Sequence, residues 1–334
     1  MSRETWPRHC RLLLAAASFL SILLLPGCGG APTESGRLSI AVIPMGTTHE
    51  HWKAIHAGAV KAGRELDAEI IWKGPQKEDD RAQQIAVVED MISLGVSGIV
   101  LAPLDGVALQ RPVEEAKLAG IPTVVVDSPL IGDASVSLVA TNNRRGGELG
   151  AQRLAEVLGG KGKVILLRVM EGVESAMARE EGFLSEIAKH PGIEIISSNQ
   201  YGGITTETAY QKGENLLNQF PAADGIFCPN ESTTFGMLRA LQDSGRAGKV
   251  KFVGFDTSEK LIAALRGGEL MGLVLQDPFK MGEIGVTTIV NHLRHPDRPV
   301  EKVIDTGVTV VTPENMDQPE VVRLLKPPLD EYLR

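Results

Sequence analysis

The feature that most restricts this chain is a repeated switch of period: from Leu38 onward, short β-branched apolar runs alternate with segments whose apolar residues recur every three or four positions. The first unit shows the pattern. Leu38 to Pro44, LSIAVIP, is short and β-branched enough for a strand buried on both faces. The polar turn Gly46-Thr47-Thr48 follows, after which Trp52, Ile55, Ala59, Ala62 and Leu66 fall on one stripe of an amphipathic helix. In an open parallel sheet such a loop lies at the carboxyl end of its strand, where ligands sit, so His49, Glu50, His51 and Trp52 are predicted at a pocket rim.

The alternation continues. Strands are predicted at Ala68 to Lys73, Gly98 to Ala102 and Pro122 to Asp127, with helices at Arg81 to Leu94 and Val107 to Ala119. This order implies right-handed crossovers and a parallel sheet, hence one α/β lobe. Ser137 to Thr141 reads as a crossing strand, and a second series opens with the helix Arg144 to Leu158. Its strands are predicted at Lys163 to Arg168, Ile193 to Ser198, Gly225 to Cys228, Lys251 to Phe255 and Leu270 to Gln276. Helices lie near Ser175 to Lys189, Thr205 to Gln219 and Glu231 to Ser244, and a further one at Met281 to Leu293. The two series are alike in makeup and length, so the chain reads as two lobes of one architecture. Gly307 to Val311 is strand-like, and Pro313, Pro319, Pro327 and Pro328 break the tail into short pieces that lie over the lobes.

At 334 residues and 43% hydrophobic content the chain can bury a sizeable core, and its length favours two domains. A formal charge of -8 without a basic run argues against a nucleic-acid surface. Cys10, Cys28 and Cys228 are too few and too scattered for a disulfide framework or a thiolate metal site. The N-terminus is read as a targeting segment of residues 1–27. Arg3, Arg8, His9 and Arg11 form a basic start, and Leu12 to Leu25 is an apolar core shorter than a spanning helix needs. Leu25-Pro26-Gly27-Cys28-Gly29 resembles a bacterial lipoprotein signal, with Pro26 departing from the small residue usual there, which implies lipidation of Cys28. An ordinary secretory signal with a chance cysteine is the alternative. Residues 28–37 then read as a flexible tether, and the protein is expected in the periplasm, held to the membrane by lipid and spanning nothing.

Seven stretches in order carry a resemblance: HAGA, IPTVVVDS, ATNNRRGG, SAMAREEGF, GIFCPNE, FVGFD and GLVLQDP. Together they resemble the periplasmic sugar-binding proteins of the ribose-binding type, the substrate-capturing components of ABC importers, over essentially Leu38 to Val311. Repressors of the lactose-repressor family share that fold but add a DNA-binding helix pair, and nothing like it precedes Leu38. The resemblance implies an α/β fold of two Rossmann-like doubly wound lobes joined by a three-segment hinge, the type I periplasmic binding protein architecture. The lobes are expected at 38–141 plus 277–306 and at 142–276 plus 307–334, with the ligand between them.

On the first lobe, His49, His51 and Trp52 stand where the family puts an asparagine and two ring-stacking aromatics, and Asp127 matches a carboxylate that accepts sugar hydroxyl hydrogens. On the second lobe and hinge, Arg179, Asn230, Asp256 and Gln276 match ligand-contacting positions. Three departures bear on specificity. Ser128 replaces an arginine beside the aspartate, Ile204 falls where an aromatic closes over the sugar with Tyr201 nearby as a substitute, and both histidines change the hydrogen-bonding capacity. The expected ligand is therefore a monosaccharide, polyol or related polar molecule. The expected partner is a membrane permease, the expected state a monomer, and no cofactor is implied.

Each singled-out residue has a plainer reading. Asp127 and Asp256 end apolar strands and suit loop amides or caps. Arg179 sits beside Glu180 and Glu181, which suits a solvated ion pair. Trp52 suits plain core, and His49 with His51, two apart and without a further ligand, is a weak metal signal. Cys228 reads as inert core. The glycine pairs lack a phosphate-loop pattern and read as turns and close packing. Among competing functions, a sensor that hands its closed form to a histidine kinase or chemoreceptor uses the same fold. An enzyme lacks a nucleophile elbow, metal cluster or cofactor loop.

Overall fold

Strands β1 (Leu38–Ile43), β2 (Ala68–Trp72), β3 (Gly98–Leu101), β4 (Thr123–Val126) and β5 (Ser137–Ala140) form the first sheet of the computed structural model, which describes residues 36–334. The leader, Cys28 and most of the tether lie outside the described residues. Helices α1 (Glu50–Glu65), α2 (Arg81–Leu94) and α3 (Gln110–Leu118) connect successive strands. Every residue of β3 and β4 is buried, which is why these strands read as unbroken apolar runs.

The second sheet follows the same plan. Its elements are α4 (Asn143–Val157), β6 (Lys161–Arg168), α5 (Glu174–Ile187), β7 (Gly192–Tyr201) and α6 (Thr206–Gln219). They continue with β8 (Gly225–Phe227), α7 (Glu231–Asp243), β9 (Lys251–Phe255), α8 (Glu259–Arg266) and β10 (Gly272–Leu275). The chain then returns through α9 (Pro278–Arg294) and β11 (Val303–Asp305) to the first lobe, and through β12 (Thr309–Val311) to the second. Spatial orders are β11-β5-β4-β3-β1-β2 and β12-β10-β9-β8-β6-β7, so each lobe repeats the other strand for strand. All pairings are parallel except β10 with β12. The two-lobe α/β architecture expected from the sequence is the one observed.

Three short segments cross between the lobes: Thr141–Asn142, Gln276–Asp277 and Thr306–Val308. They are tied together. Thr141 Oγ1 donates to the Gly307 carbonyl at 3.1 Å, and the Asn142 amide donates to Asp305 Oδ1 at 3.2 Å. Each lobe also contains one very close helix pair. A Cβ on Gly58 of α1 would lie 1.9 Å from the Phe279 carbonyl oxygen on α9, and one on Gly147 of α4 would lie 1.8 Å from the Arg179 carbonyl oxygen on α5. Only glycine permits such backbone contact.

Two regions differ from the sequence reading. The sequence pattern predicts no helix over 257–269, yet Ser258 caps α8 with its hydroxyl and Leu261, Ile262, Ala264 and Leu265 are buried. The tail holds α10 (Pro319–Leu325), which sinks Val321 and Leu325 into the second lobe, and α11 (Leu329–Tyr332), which lies on α1. Among the described residues no helix is long and apolar enough to cross a membrane.

Candidate functional site

The carboxyl ends of both sheets face one cavity, and each lobe delivers its polar groups there by the same local device. After β4 the chain turns at Asp127 with φ 66°, and after β9 it turns at Asp256 with φ 64°. Left-handed backbone is uncommon for a residue with a Cβ, although aspartate tolerates it better than most. The turn aims both carboxylates away from the sheets and into the space between the lobes. Neither caps the helix that follows it, since Asn142 caps α4 and Ser258 caps α8, although Asp256 Oδ2 accepts from the Glu231 amide at the start of α7 at 3.2 Å.

His51 of α1 sits between them. Its Nε2 lies 2.8 Å from Asp127 Oδ1, and its Nδ1 lies 4.0 Å from Asp256 Oδ1 on the opposite lobe. Burial on its own would lower the His51 pKa, but the charge and hydrogen bond of Asp127, with Asp256, raise it. Burial likewise pushes Asp127 up, and His51 and Arg179 together hold it below its ordinary value. Both shifts favour the imidazolium–carboxylate form of the pair, whose side chains are only 9% and 4% exposed.

His49, at the N-cap of α1, lies 2.6 Å through Nδ1 from Glu78 Oε1, and the Trp52 indole donates to the same oxygen at 2.5 Å. Burial opposes a charge on His49, but Glu78, Glu231 and Asp256 outweigh it and raise its pKa to about 9. Trp52 is core and rim at once, 3% exposed and packed in the first lobe while lining the cavity.

From the second lobe, Arg179 of α5 reaches in. Its Nε donates to Asn143 Oδ1 at 2.8 Å and its Nη1 to the Pro229 carbonyl at 3.0 Å, with Asp256 Oδ2 3.8 Å away. Its guanidinium lies over the Phe255 ring, 4.0 Å from the centroid. The solvated ion pair that the flanking acids suggested is not what forms, because Glu180 turns to Arg168 at 2.6 Å. Asn143 extends the chain of bonds by donating to the Asp127 carbonyl at 3.3 Å. Asn230 caps α7 by accepting from the Thr233 amide at 3.0 Å, and Gln276 donates from Nε2 to Asp256 Oδ1 at 2.7 Å.

His49, His51, Trp52, Asp127, Arg179, Asn230, Asp256 and Gln276 thus line one cavity. Ser128 does not. It turns away, and its Oγ accepts from the Ser175 amide of the other lobe at 3.1 Å, a seam between lobes. Tyr201 also stays outside, its hydroxyl donating to Glu171 at 3.1 Å, while Ile204 is buried against the cluster that holds Trp52. Tyr201 is therefore no substitute for the missing aromatic. Cys228 is fully buried, with burial pushing its thiol pKa up.

Glu78, Glu231 and Asn143 were not singled out in the sequence. Glu78 hides in the charged run Lys77 to Asp80, which looks like a solvated loop. Glu231 follows Asn230 directly, and that adjacency was the available signal.

The cavity measures about 40 Å³. It shares His51, Asp256 and Gln276 with a groove of about 630 Å³ that runs out beneath Leu324 to Asp330. The groove is the larger space, but the ionised groups converge on the smaller one.

Comparison with known proteins agrees with this fold. A family model described as a periplasmic binding protein domain matches residues 40–297. A D-ribose/D-allose-binding protein of Pseudomonas aeruginosa is 30% identical over 312 residues, covering 90% of this chain and 95% of the relative. A carbohydrate transporter solute-binding protein of Agrobacterium radiobacter, solved in complex with D-arabinose, superposes with a TM-score of 0.84 at 30% identity, covering 87% of this chain and 99% of that one. An ABC transporter solute-binding protein of Agrobacterium vitis with bound D-fucose gives 0.82 at 35% identity, covering 86% and 100%.

Proposed function

Because the chain belongs to the periplasmic binding protein family, we propose that it captures a monosaccharide or polyol between its lobes, without turnover, and presents the closed form to an ABC permease. The observation that carries this reading is His51, held by Asp127 of its own lobe at 2.8 Å and facing Asp256 of the other at 4.0 Å. Carboxylates from both lobes thus meet one polar group in a dry cleft, the arrangement a hydroxyl-rich guest needs. A sugar ring exceeds the present cavity, so binding parts the lobes or turns His51 aside before they close on the guest. The moving bodies are 38–141 plus 277–306 and 142–276 plus 307–334, with α11 at the end of the second resting on the first, and the site residues are His49, His51, Trp52, Asp127, Arg179, Asn230, Asp256 and Gln276.

Isothermal titration against D-ribose, D-allose, D-arabinose, D-fucose and xylitol, with small-angle scattering of the free and saturated protein, tests the reading. Saturable binding with a change in scattering supports it. Heat-silent titrations across the panel with superimposable scattering curves count against it.

The extracytoplasmic location and the lipid anchor belong to the same proposal. Cys28 follows a basic start and a short apolar core, as a lipidated cysteine does. Incorporation of labelled palmitate that disappears in Cys28→Ala supports the anchor, and label retained in that variant refutes it.

A further inference from the structure

Four carboxyl groups line the cavity and three of them have a cation at ion-pair distance. Glu78 has His49 at 2.6 Å, Asp127 has His51 at 2.8 Å, and Asp256 has Arg179 at 3.8 Å. Glu231 has no ion-pair partner among the described residues, and its Oε2 is buried without a hydrogen-bond partner. One other cavity group shares that condition: Gln276, 4% exposed, donates through Nε2 and leaves its Oε1 buried and unmatched. Both orphan atoms are of the kind that accepts hydrogen bonds, and leaving a buried acceptor unmatched is unfavourable. Something bearing donors relieves that cost.

We propose that Glu231 and the Gln276 carbonyl form an acceptor subsite that takes hydroxyl hydrogens of the bound ligand, and that Glu231 determines which hydroxyls the ligand must present. This rests on the sugar or polyol reading above and extends it to a residue outside the positions matched by resemblance. Glu231 is well placed for the task. It opens α7 directly after its cap Asn230, where the helix dipole favours negative charge, and its backbone amide is already taken by Asp256 Oδ2 at 3.2 Å. Its side chain faces His49 and His51 of α1, Glu78 from the loop after β2, and Asp256 after β9. Burial, with Asp256 and Glu78 adding and the two histidines opposing, raises its pKa to about 7. A carboxyl so balanced ionises readily when a hydroxyl approaches, and the charged form is the stronger acceptor.

The test is a cycle between side chain and ligand. The tightest binder among D-ribose, D-allose, D-arabinose, D-fucose and xylitol is titrated by calorimetry together with each of its monodeoxy analogues, into the wild type, Glu231→Gln and Glu231→Met. Wild type should reject one particular deoxy analogue by about 10-fold or more. Glu231→Met should bind the parent about 10-fold more weakly and no longer distinguish it from that analogue, and Glu231→Gln, which keeps a carbonyl, should recover part of both. Parent affinity unchanged in Glu231→Met overturns the proposal. So does weaker affinity with every deoxy preference intact, which marks a merely structural role. A wild type that binds none of the panel defeats the sugar reading itself, and this subsite with it.

Discussion

The two lobes are the same machine built twice, strand order for strand order, yet they bring opposite kinds of chemistry to the cleft. The first supplies two imidazoles and an indole at the start of α1, backed by Glu78. The second supplies a guanidinium from within α5 and an unpaired carboxyl at the start of α7. Only the aspartate after the fourth strand is common to both, with φ of 66° and 64°. The shared element is thus a backbone turn that aims an acceptor at the guest, while the helices differ and set what each wall recognises.

The helix pairs should separate the walls most sharply. A Cβ on Gly147 meets the carbonyl oxygen of Arg179 itself, whereas one on Gly58 meets that of Phe279, which does not line the cavity. Gly147→Ala and Gly58→Ala should each destabilise by about 3 kcal/mol or more in denaturant titration. Ligand affinity should collapse in Gly147→Ala, because α5 carries Arg179. It should fall less in Gly58→Ala, where the Cβ meets α9 and the clash lies nearly two turns along α1 from His51 and Trp52. Equal losses of affinity would mean that the lobes transmit strain alike.

Next in size are the paired aspartates. Asp127→Ala strips the near partner from a buried imidazolium, and Asp256→Ala removes the acceptor of Gln276 and of the Glu231 amide. Each should weaken sugar binding by about 1–3 kcal/mol, read by calorimetry. Glycine variants at the same positions should be more stable than the alanine variants by about 1 kcal/mol, since glycine adopts the left-handed turn without strain. Alanine and glycine of equal stability would mean that the turn is not strained.

The lobes should also titrate in different windows. Glu231 is an acid whose pKa is raised from 4.5 to about 7, so the folded state holds a proton there that the unfolded chain gives up. Stability from this group is lost as pH rises between those values. His49 is a base raised from 6.5 to about 9, and its contribution, complete below 6.5, is lost as pH rises towards 9. Both slopes have the same sign, whereas His56, lowered by burial from 6.5 to about 4, adds stability as pH rises through that lower window, so the ligand-free melting temperature should fall most clearly from pH 6.5 to pH 9. Glu231→Gln should flatten the lower part of the curve and His49→Gln the upper part. A melting temperature that rises over this range would contradict both assignments.

How much of this could be read in advance follows from what each residue does. Period switching announced the sheets, because strands buried on both faces and helices buried on one leave different apolar rhythms. Helix α8 escaped notice, although Ser258 followed by Leu261, Ile262, Ala264 and Leu265 is a capped, periodic signal of only two turns. Side-chain direction was harder. Nothing in the stretch Val126 to Ser128 says that Asp127 enters the cavity while Ser128 turns to the Ser175 amide, since Asp127 itself is left-handed and breaks the alternation of sides along the strand. Glu78 and Glu231 look like ordinary surface acids in the sequence, whereas the folded chain sets Glu78 against His49 and Trp52 and brings both acids to the cavity.

The smallest effect concerns the one part of the chain that belongs to neither repeat. After α10 is fixed to the second lobe by Val321 and Leu325, Pro327 and Pro328 lead to α11 on the first. There Arg64 donates to the carbonyls of Glu331 and Tyr332, both at 3.2 Å, and lies 5.4 Å from the Tyr332 ring centre. The tail therefore joins the lobes a fourth time, without covalent continuity from one sheet to the other, close to the three crossing segments. These contacts are exposed, so Arg64→Ala should cost under about 1 kcal/mol. A tether near a hinge axis has a short lever, and the same variant should shift ligand affinity by less than a factor of about 5. A larger shift in affinity, with stability unchanged, would show that the tail takes part in setting the balance between open and closed lobes.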